Sequence, residues 1–298
     1  MEIENELPGI KKNVLLQNYT TFRIGGKAKY FFLAKNKKDL IRAILVAKKF
    51  KLPLFVLGGG SNLLVADEGF KGLIIKMQNA KFKMQNENSK CKIFCEAGTP
   101  LSLIVSKAVK KNLMGLEWAA GIPGAVGGAI YGNAGAFGRT MKDTVKSVEV
   151  FDTKTEKVKI LKDKDCKFSY RDSIFKKNKN LIILSAIFQL KKGKKSEIKK
   201  KIKENLHYRK ERQPLNFPSA GSVFKNPLGF SAGELIDKCG LKGKRVGNVK
   251  ISEKHANFIV NLGKGKAEDV IKLIKLIKRE VKKKFSVTLE EEIQYVGL

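Results

Sequence analysis

Ser222 stands in the stretch AGSVFKNP, residues 220–227, directly after a glycine and ahead of an apolar pair, a lysine and an asparagine. A serine that attacks a substrate needs a base beside it, most often a histidine held by a carboxylate. The chain has two histidines, His207 and His255, and the stretch departs from the G-x-S-x-G turn that exposes a nucleophilic serine on a hydrolase sheet. Nucleophilic attack is therefore a poor reading, and taken alone Ser222 is a turn residue.

Two glycine-rich segments carry a second kind of chemistry. PLFVLGGGSNLLVAD sets Gly58, Gly59, Gly60, Ser61 and Asn62 between two strand-like runs. Bare backbone N–H groups can close around an oxyanion, yet the dinucleotide fingerprint and the P-loop both require a helix to follow. A phosphate nest and a tight hairpin both remain open for this loop. GIPGAVGGAIYGNAGAFG, residues 121–138, places glycine at Gly121, Gly124, Gly127, Gly128, Gly132, Gly135 and Gly138. Flexible linkers are polar, whereas this segment holds Ile122, Val126, Ile130, Tyr131 and Phe137. It reads as backbone laid against something flat and extended, such as a cofactor.

These segments need elements to position them. Leu40, Ile41, Ile44, Ala47 and Phe50 recur at helical spacing after an Asn36 cap, and LFVL, NLLVAD and GLIIKM read as strands around the first glycine loop. KCKIFCEA reads as a strand, TPLSLIVSKAVKKNL as a helix opened by Pro100, and VKSVEVFD, KVKILK and LIILSAIFQL as further strands. The basic stretch KKGKKSEIKKKIKENLHYRKERQP is expected to be a solvated helix at the main boundary. Beyond it come a short helix closed by Gly240, the strand HANFIVNL, and a helix from Ala267 to about Phe285 with Val270, Leu273, Ile274, Ile277 and Val281 on one face. A last strand is expected in VTLEEEIQYVGL. Strands and helices mix without regular alternation, which favours α+β.

The chain has 298 residues, 43% of them hydrophobic, and a formal charge of +33. Lysines are spread along the whole length, with no zinc finger, RNP signature or separate basic tail. The charge therefore reads as a solvated coat that attracts anions, and no nucleic-acid partner is expected. No apolar run approaches the ~20 residues of a membrane span, and the acidic start MEIENELPGI lacks signal-peptide character, so a cytoplasmic location is expected. Cys91 and Cys95 form the one close cysteine pair; without a second pair or a nearby histidine, burial in a strand is the better reading and no metal is expected.

NYTTFRIGG, LGGGSNLLVADEGFKG, AGIPGAVGGAIYGNAGAFG, FSYRDSIFK, AGSVFKNP, HANFIVN and LEEEIQYVG follow one another in an order that resembles the UDP-N-acetylenolpyruvoylglucosamine reductase family over essentially the whole chain. The resemblance implies an α+β protein: a two-lobed FAD-binding domain of the vanillyl-alcohol-oxidase (PCMH) type and a C-terminal α+β substrate-binding domain. The expected divisions are 1–80 and 81–195 for the two FAD lobes and 196–298 for the substrate domain, whose last strand could return toward the flavin.

By that resemblance FAD is bound non-covalently, NADPH is the reductant, and UDP-N-acetylglucosamine enolpyruvate is reduced to UDP-N-acetylmuramate for peptidoglycan synthesis. A monomer is expected. The implied FAD contacts are Arg23, Gly58, Gly59, Gly60, Ser61, Asn62, Gly121, Ile122, Pro123, Gly124, Gly127, Gly128, Asn133 and Ala134. Ser222 resembles the family's general acid. Arg171 resembles the arginine that pairs with the substrate carboxylate or enolate, and Glu292 the glutamate beside that intermediate. Lys225, Asn226 and His255 stand where the family contacts substrate, although His255 reads equally as a hydrogen-bonded core histidine. The short stretch between Arg171 and Ser222 marks the short-loop subtype, without the inserted substrate-covering tyrosine.

Overall fold

The structure, a computed structural model, describes residues 2–77, 82–87 and 90–298. The chain forms two compact units: Met1–Ile10, Phe31–Gly59 and Ile74–Tyr208 make the first, and Lys11–Tyr30, Gly60–Leu73 and Arg209–Leu298 make the second.

The first unit is built on an antiparallel sheet whose strands run in the order Lys157–Lys162, Val145–Asp152, Leu181–Lys192, Lys90–Glu96, Phe82–Glu87. Leu181–Lys192 is the long central strand, and its apolar run buries Ile183, Leu184, Ala186, Phe188 and Leu190. The helix Leu101–Lys110 begins directly after Pro100 and buries Leu101, Ile104, Val105 and Ala108, a spacing of three and four that makes one face. The helix Lys37–Lys49 starts where the Asn36 side chain accepts the Asp39 N–H at 3.0 Å, as the cap signal predicts. The strand Leu54–Leu57 lies beside Phe70–Met77, whose residues from Ile74 on belong to this unit, and delivers the chain to Gly58.

Cys91 and Cys95 are buried on Lys90–Glu96, as expected, and burial pushes the Cys95 thiol up to about 12. The basic helix Lys195–Arg212 is mostly solvated, with Ile198 and Arg209 buried and His207 exposed. The second glycine-rich segment contains a short helix that its glycine content did not announce. Val126–Tyr131 closes into a helical turn that buries Val126, Ala129 and Ile130, because the apolar residues between the glycines fall at helical spacing.

The second unit contains a four-stranded antiparallel sheet in the order Ser219–Ser222, Phe258–Asn261, Val249–Ile251, Arg245–Val246. The helix Ala267–Phe285 buries the predicted stripe from Val270 to Val281 in the same core as Leu235 and Ile236 of the helix Ala232–Lys238. Its start is capped from far away in sequence: Asp67 accepts the Ala267 N–H through Oδ1 at 2.9 Å and the Glu268 N–H through Oδ2 at 3.1 Å. The last strand is shorter than expected and comprises Gln294–Val296, paired in parallel with Leu63–Val65. Residues 287–292 follow an irregular course, and the backbone of Glu290, Glu291 and Glu292 faces the AGSVFKNP segment instead.

No described helix is long and apolar enough to cross a membrane.

Candidate cofactor and catalytic site

In the second unit the site is assembled around Ser222. The strand Ser219–Ser222 carries an extra residue relative to its partner, since Ser219 faces Val260 and Ser222 faces Phe258. Gly221 takes φ +79° in this bulge, a conformation that glycine adopts without strain and that turns the next side chain. The half-buried Ser222 Oγ has no hydrogen-bond partner among the described residues.

The residues after Ser222 are held from two sides. Val223 N–H donates to Asn257 O at 2.8 Å. The Asn257 side chain then imitates a strand: its Oδ1 accepts the Phe224 N–H at 2.9 Å and its Nδ2 donates to Phe224 O at 2.8 Å. From the other side, Glu292 N–H donates to Val223 O at 2.8 Å and Lys225 N–H donates to Glu290 O at 2.9 Å. Glu292 is fixed again where Asn62 Nδ2 donates to its carbonyl at 3.0 Å, and Gln294 N–H returns to Asn62 O at 2.9 Å. The end of the first glycine loop, the serine segment and the Glu292 backbone are therefore brought together.

This arrangement separates the three consecutive glutamates. Glu290 pairs with Lys225, and Glu291 pairs with Lys278 at 2.9 Å. Glu292 is the one whose backbone is bonded to the residue following Ser222.

Other expected residues in this unit have visible structural roles. Asn226 Oδ1 accepts the Ala232 N–H at 3.0 Å at the start of the helix Ala232–Lys238. Arg23 is exposed, with φ +54°, and its carbonyl accepts from Asn261 Nδ2 at 3.3 Å, beside the Phe22 carbonyl at 3.0 Å. His255 Nδ1 accepts the Asn257 N–H at 3.2 Å, so the neutral ring carries its proton on Nε2. Burial, and then the charge of Lys242, lower the His255 pKa. The Gly60 carbonyl accepts the Thr21 N–H at 3.0 Å, while the Thr21 hydroxyl donates to Ser219 O at 2.7 Å. Gly60, at φ +66°, leaves no room for a side chain, since a methyl group there would lie 2.0 Å from Tyr19 O.

In the first unit the two glycine segments pack backbone against backbone. A methyl group on Gly59 would lie 2.4 Å from Gly124 Cα, and one on Gly58 would lie 3.7 Å from Gly128 N. Gly124 O accepts the Leu101 N–H at 3.0 Å, Val126 N–H donates to Thr99 O at 2.9 Å, and Gly127 N–H donates to Ala97 O at 2.8 Å. The Thr99 hydroxyl is buried there without a partner among the described residues. A wall of bare backbone and an orphaned hydroxyl fit a flat, extended cofactor with polar atoms to satisfy the site.

Arg171 sits in a two-residue turn closed by reciprocal bonds between Ser169 and Asp172 at 3.1 and 3.2 Å. Its φ is +54°, its carbonyl accepts from Lys176 Nζ at 2.7 Å, and its guanidinium lies 5.3 Å from the Tyr170 ring centroid. Asn133, buried at φ +42°, donates through Nδ2 to Ser169 O at 2.7 Å, so its side chain ties down the turn that carries Arg171.

Sequence reasoning overlooked Asn257, Asn261, Asp67 and Lys76. The available signal was a polar residue inside an otherwise apolar run: HANFIVN for the two asparagines and GLIIKM for the lysine. Among the described residues, no cluster of three or more His, Cys, Asp or Glu side chains could hold a metal.

Both glycine segments lie within residues 28–161, which match the FAD binding domain family; the serine segment lies within residues 213–296, which match "UDP-N-acetylenolpyruvoylglucosamine reductase, C-terminal domain". The protein is thus a flavin-dependent oxidoreductase. It is 44% identical to a UDP-N-acetylenolpyruvoylglucosamine reductase of Caldanaerobacter subterraneus subsp. tengcongensis, covering 96% of this chain and 93% of that one. It is 41% identical to that of Clostridium novyi, covering 97% and 92%. The crystal structure of the reductase from Thermus caldophilus is similar at a TM-score of 0.80, with 36% identity over 96% of this chain and 99% of that one. The chain belongs to the UDP-N-acetylenolpyruvoylglucosamine reductase family.

Proposed function

We propose that the protein reduces UDP-N-acetylglucosamine enolpyruvate to UDP-N-acetylmuramate with NADPH as the reductant, and that Ser222, Arg171 and Glu292 serve the chemical step. Saturating the enolpyruvyl double bond requires a hydride at its terminal carbon and a proton at the adjacent carbon. FAD, when bound, supplies hydride chemistry. The remaining demands fall on side chains of this chain.

Ser222 is the proposed proton donor. A serine hydroxyl is a weak acid, so the negative charge that develops on the substrate must drive the transfer. Arg171 is proposed to pair with the substrate carboxylate, its planar fork matching two oxygens and its charge opposing the growing negative charge. Glu292 is proposed to act beside the same intermediate. Arg23, Gly58 to Asn62, Gly121 to Gly124, Gly127, Gly128, Asn133 and Ala134 are proposed to hold FAD, Lys225 to meet the nucleotide diphosphate, and Asn226 to contact substrate. His255 is proposed to offer its Nε2–H to substrate. The division into FAD lobes at 1–80 and 81–195 and a substrate domain at 196–298 is proposed with these roles.

The observation that carries the reading is the unpartnered Ser222 Oγ on a bulged strand end, with the Glu292 backbone bonded to the next residue. The test is anaerobic stopped-flow absorbance on wild type and Ser222→Ala. Flavin is first reduced with NADPH and then mixed with the enolpyruvyl nucleotide. Flavin reoxidation is expected to slow by about 10²–10⁴-fold in the variant, the usual contribution of a general acid, while reduction by NADPH stays at the wild-type rate. Equal reoxidation rates would remove Ser222 from the mechanism.

A further inference from the structure

We infer that Lys76 is an FAD-anchoring residue, placing its ammonium charge at the Gly58–Gly59 turn to meet the cofactor's diphosphate. The inference rests on the reading of that turn as part of the FAD cradle.

Lys76 belongs to the strand Phe70–Met77, where Leu73, Ile74, Ile75 and Met77 are all buried. A lysine in such a run has to be accounted for, because removing an ammonium from water is costly unless it is compensated. Lys37, also partly shielded in the first unit, is compensated by a carboxylate: it pairs with Glu149 at 2.7 Å. Lys76 has no carboxylate partner among the described residues. Its one hydrogen bond runs from Nζ to Gly58 O at 2.8 Å. Burial accordingly lowers its pKa.

The position of the charge indicates what would compensate it. Gly58 O lies at the turn where the backbone has no side chains, with Gly59 against Gly124 and Gly58 near Gly128 N. By accepting the lysine, the Gly58 carbonyl is committed toward the strand Phe70–Met77, and a strong positive charge stands at a surface shaped for close approach. A doubly anionic diphosphate is the part of FAD whose charge matches an otherwise uncompensated ammonium.

The test uses the purified holoprotein and the variants Lys76→Met, Lys76→Arg and Gly59→Ala. FAD release on dilution is followed by the rise of flavin fluorescence at low and high salt, the flavin midpoint potential is measured, and the thermal midpoint is recorded after FAD removal. Lys76→Met is expected to weaken FAD binding by about 10- to 100-fold, the range for one charge-assisted contact. Its salt dependence should flatten, its FAD-free thermal midpoint should match wild type, and Lys76→Arg should recover most of the affinity.

Wild-type FAD affinity in Lys76→Met, with Gly59→Ala losing FAD, would overturn the inference and leave the cradle intact. FAD retained by all three variants would overturn the cradle itself. An FAD-free Lys76→Met that melts early in proportion to its loss of FAD would make Lys76 only a clamp on Gly58. A shifted potential with unchanged affinity would move the ammonium from the diphosphate to the flavin ring, which also overturns the inference.

Discussion

Asn257→Leu tests the account of how Ser222 is held. The side chain is 3% exposed and supplies both hydrogen bonds of Phe224, at 2.9 Å to its N–H and 2.8 Å to its carbonyl. Leucine fills nearly the same space and makes neither bond. Two buried backbone groups are then left facing hydrocarbon, at about 1–3 kcal/mol each, so the second unit should lose roughly 2–6 kcal/mol. Against a total stability of about 5–15 kcal/mol this is severe, and a thermal midpoint falling by roughly 5–20 °C is expected.

The functional consequence should be selective. Ser222 lies two residues before the clamp, on a strand whose regular pairing ends at Ser222 with Phe258. Loosening Phe224 therefore frees the hydroxyl before it disturbs the Gly58–Gly59 turn. In stopped-flow experiments below its melting range, the variant should reoxidise reduced flavin with substrate more slowly than wild type while NADPH reduces it at the normal rate. A thermal midpoint within about 1 °C of wild type would refute the hydrogen-bond accounting. A normal midpoint deficit with unchanged reoxidation would refute the link between the clamp and Ser222.

Gly59→Ala places a methyl 2.4 Å from Gly124 Cα, so the two glycine segments must separate; overpacking of about 1–3 kcal/mol and protein purified largely without its yellow cofactor are expected, read as the ratio of flavin to protein absorbance. His255 gives a pH prediction. Its folded pKa lies below 6.5, so the unfolded chain takes up a proton first as pH falls. Stability is then complete above about 6.5 and declines from there toward the lower folded value. His255→Gln should remove that part of the slope in thermal midpoints taken between about pH 5 and 8, and an unchanged slope would assign it to other groups.

Local signals were legible in the sequence where they depend on near neighbours. The Asn36 cap, the helix Ala267–Phe285 with its apolar stripe, and the buried run of Leu181–Lys192 all follow from spacing within a few residues. Features built by distant segments left no such trace. The cap of Ala267–Phe285 comes from Asp67, 200 residues earlier, and nothing in VADEG distinguishes that aspartate from a turn residue. Likewise, a three-residue parallel pairing between Gln294–Val296 and Leu63–Val65 is too short to show as periodicity at either end.

The glutamate triplet shows how backbone hydrogen bonding separates residues that look alike in sequence. In sequence, Glu290, Glu291 and Glu292 are equivalent, and resemblance alone selects the last by its distance from the chain's apolar end. In the structure they differ because alternate backbone groups face the serine segment: Glu290 O takes the Lys225 N–H, Glu292 N–H gives to Val223 O, and Glu291 lies between them opposite Phe224. Lysines engage the first two side chains. A one-residue slip of this segment would exchange the donor and acceptor facing Val223 and break the Asn62 bond to the Glu292 carbonyl. Backbone hydrogen bonding thus fixes the register of the three glutamates against the serine segment, and it leaves Glu292 as the one bonded to the residue that follows Ser222.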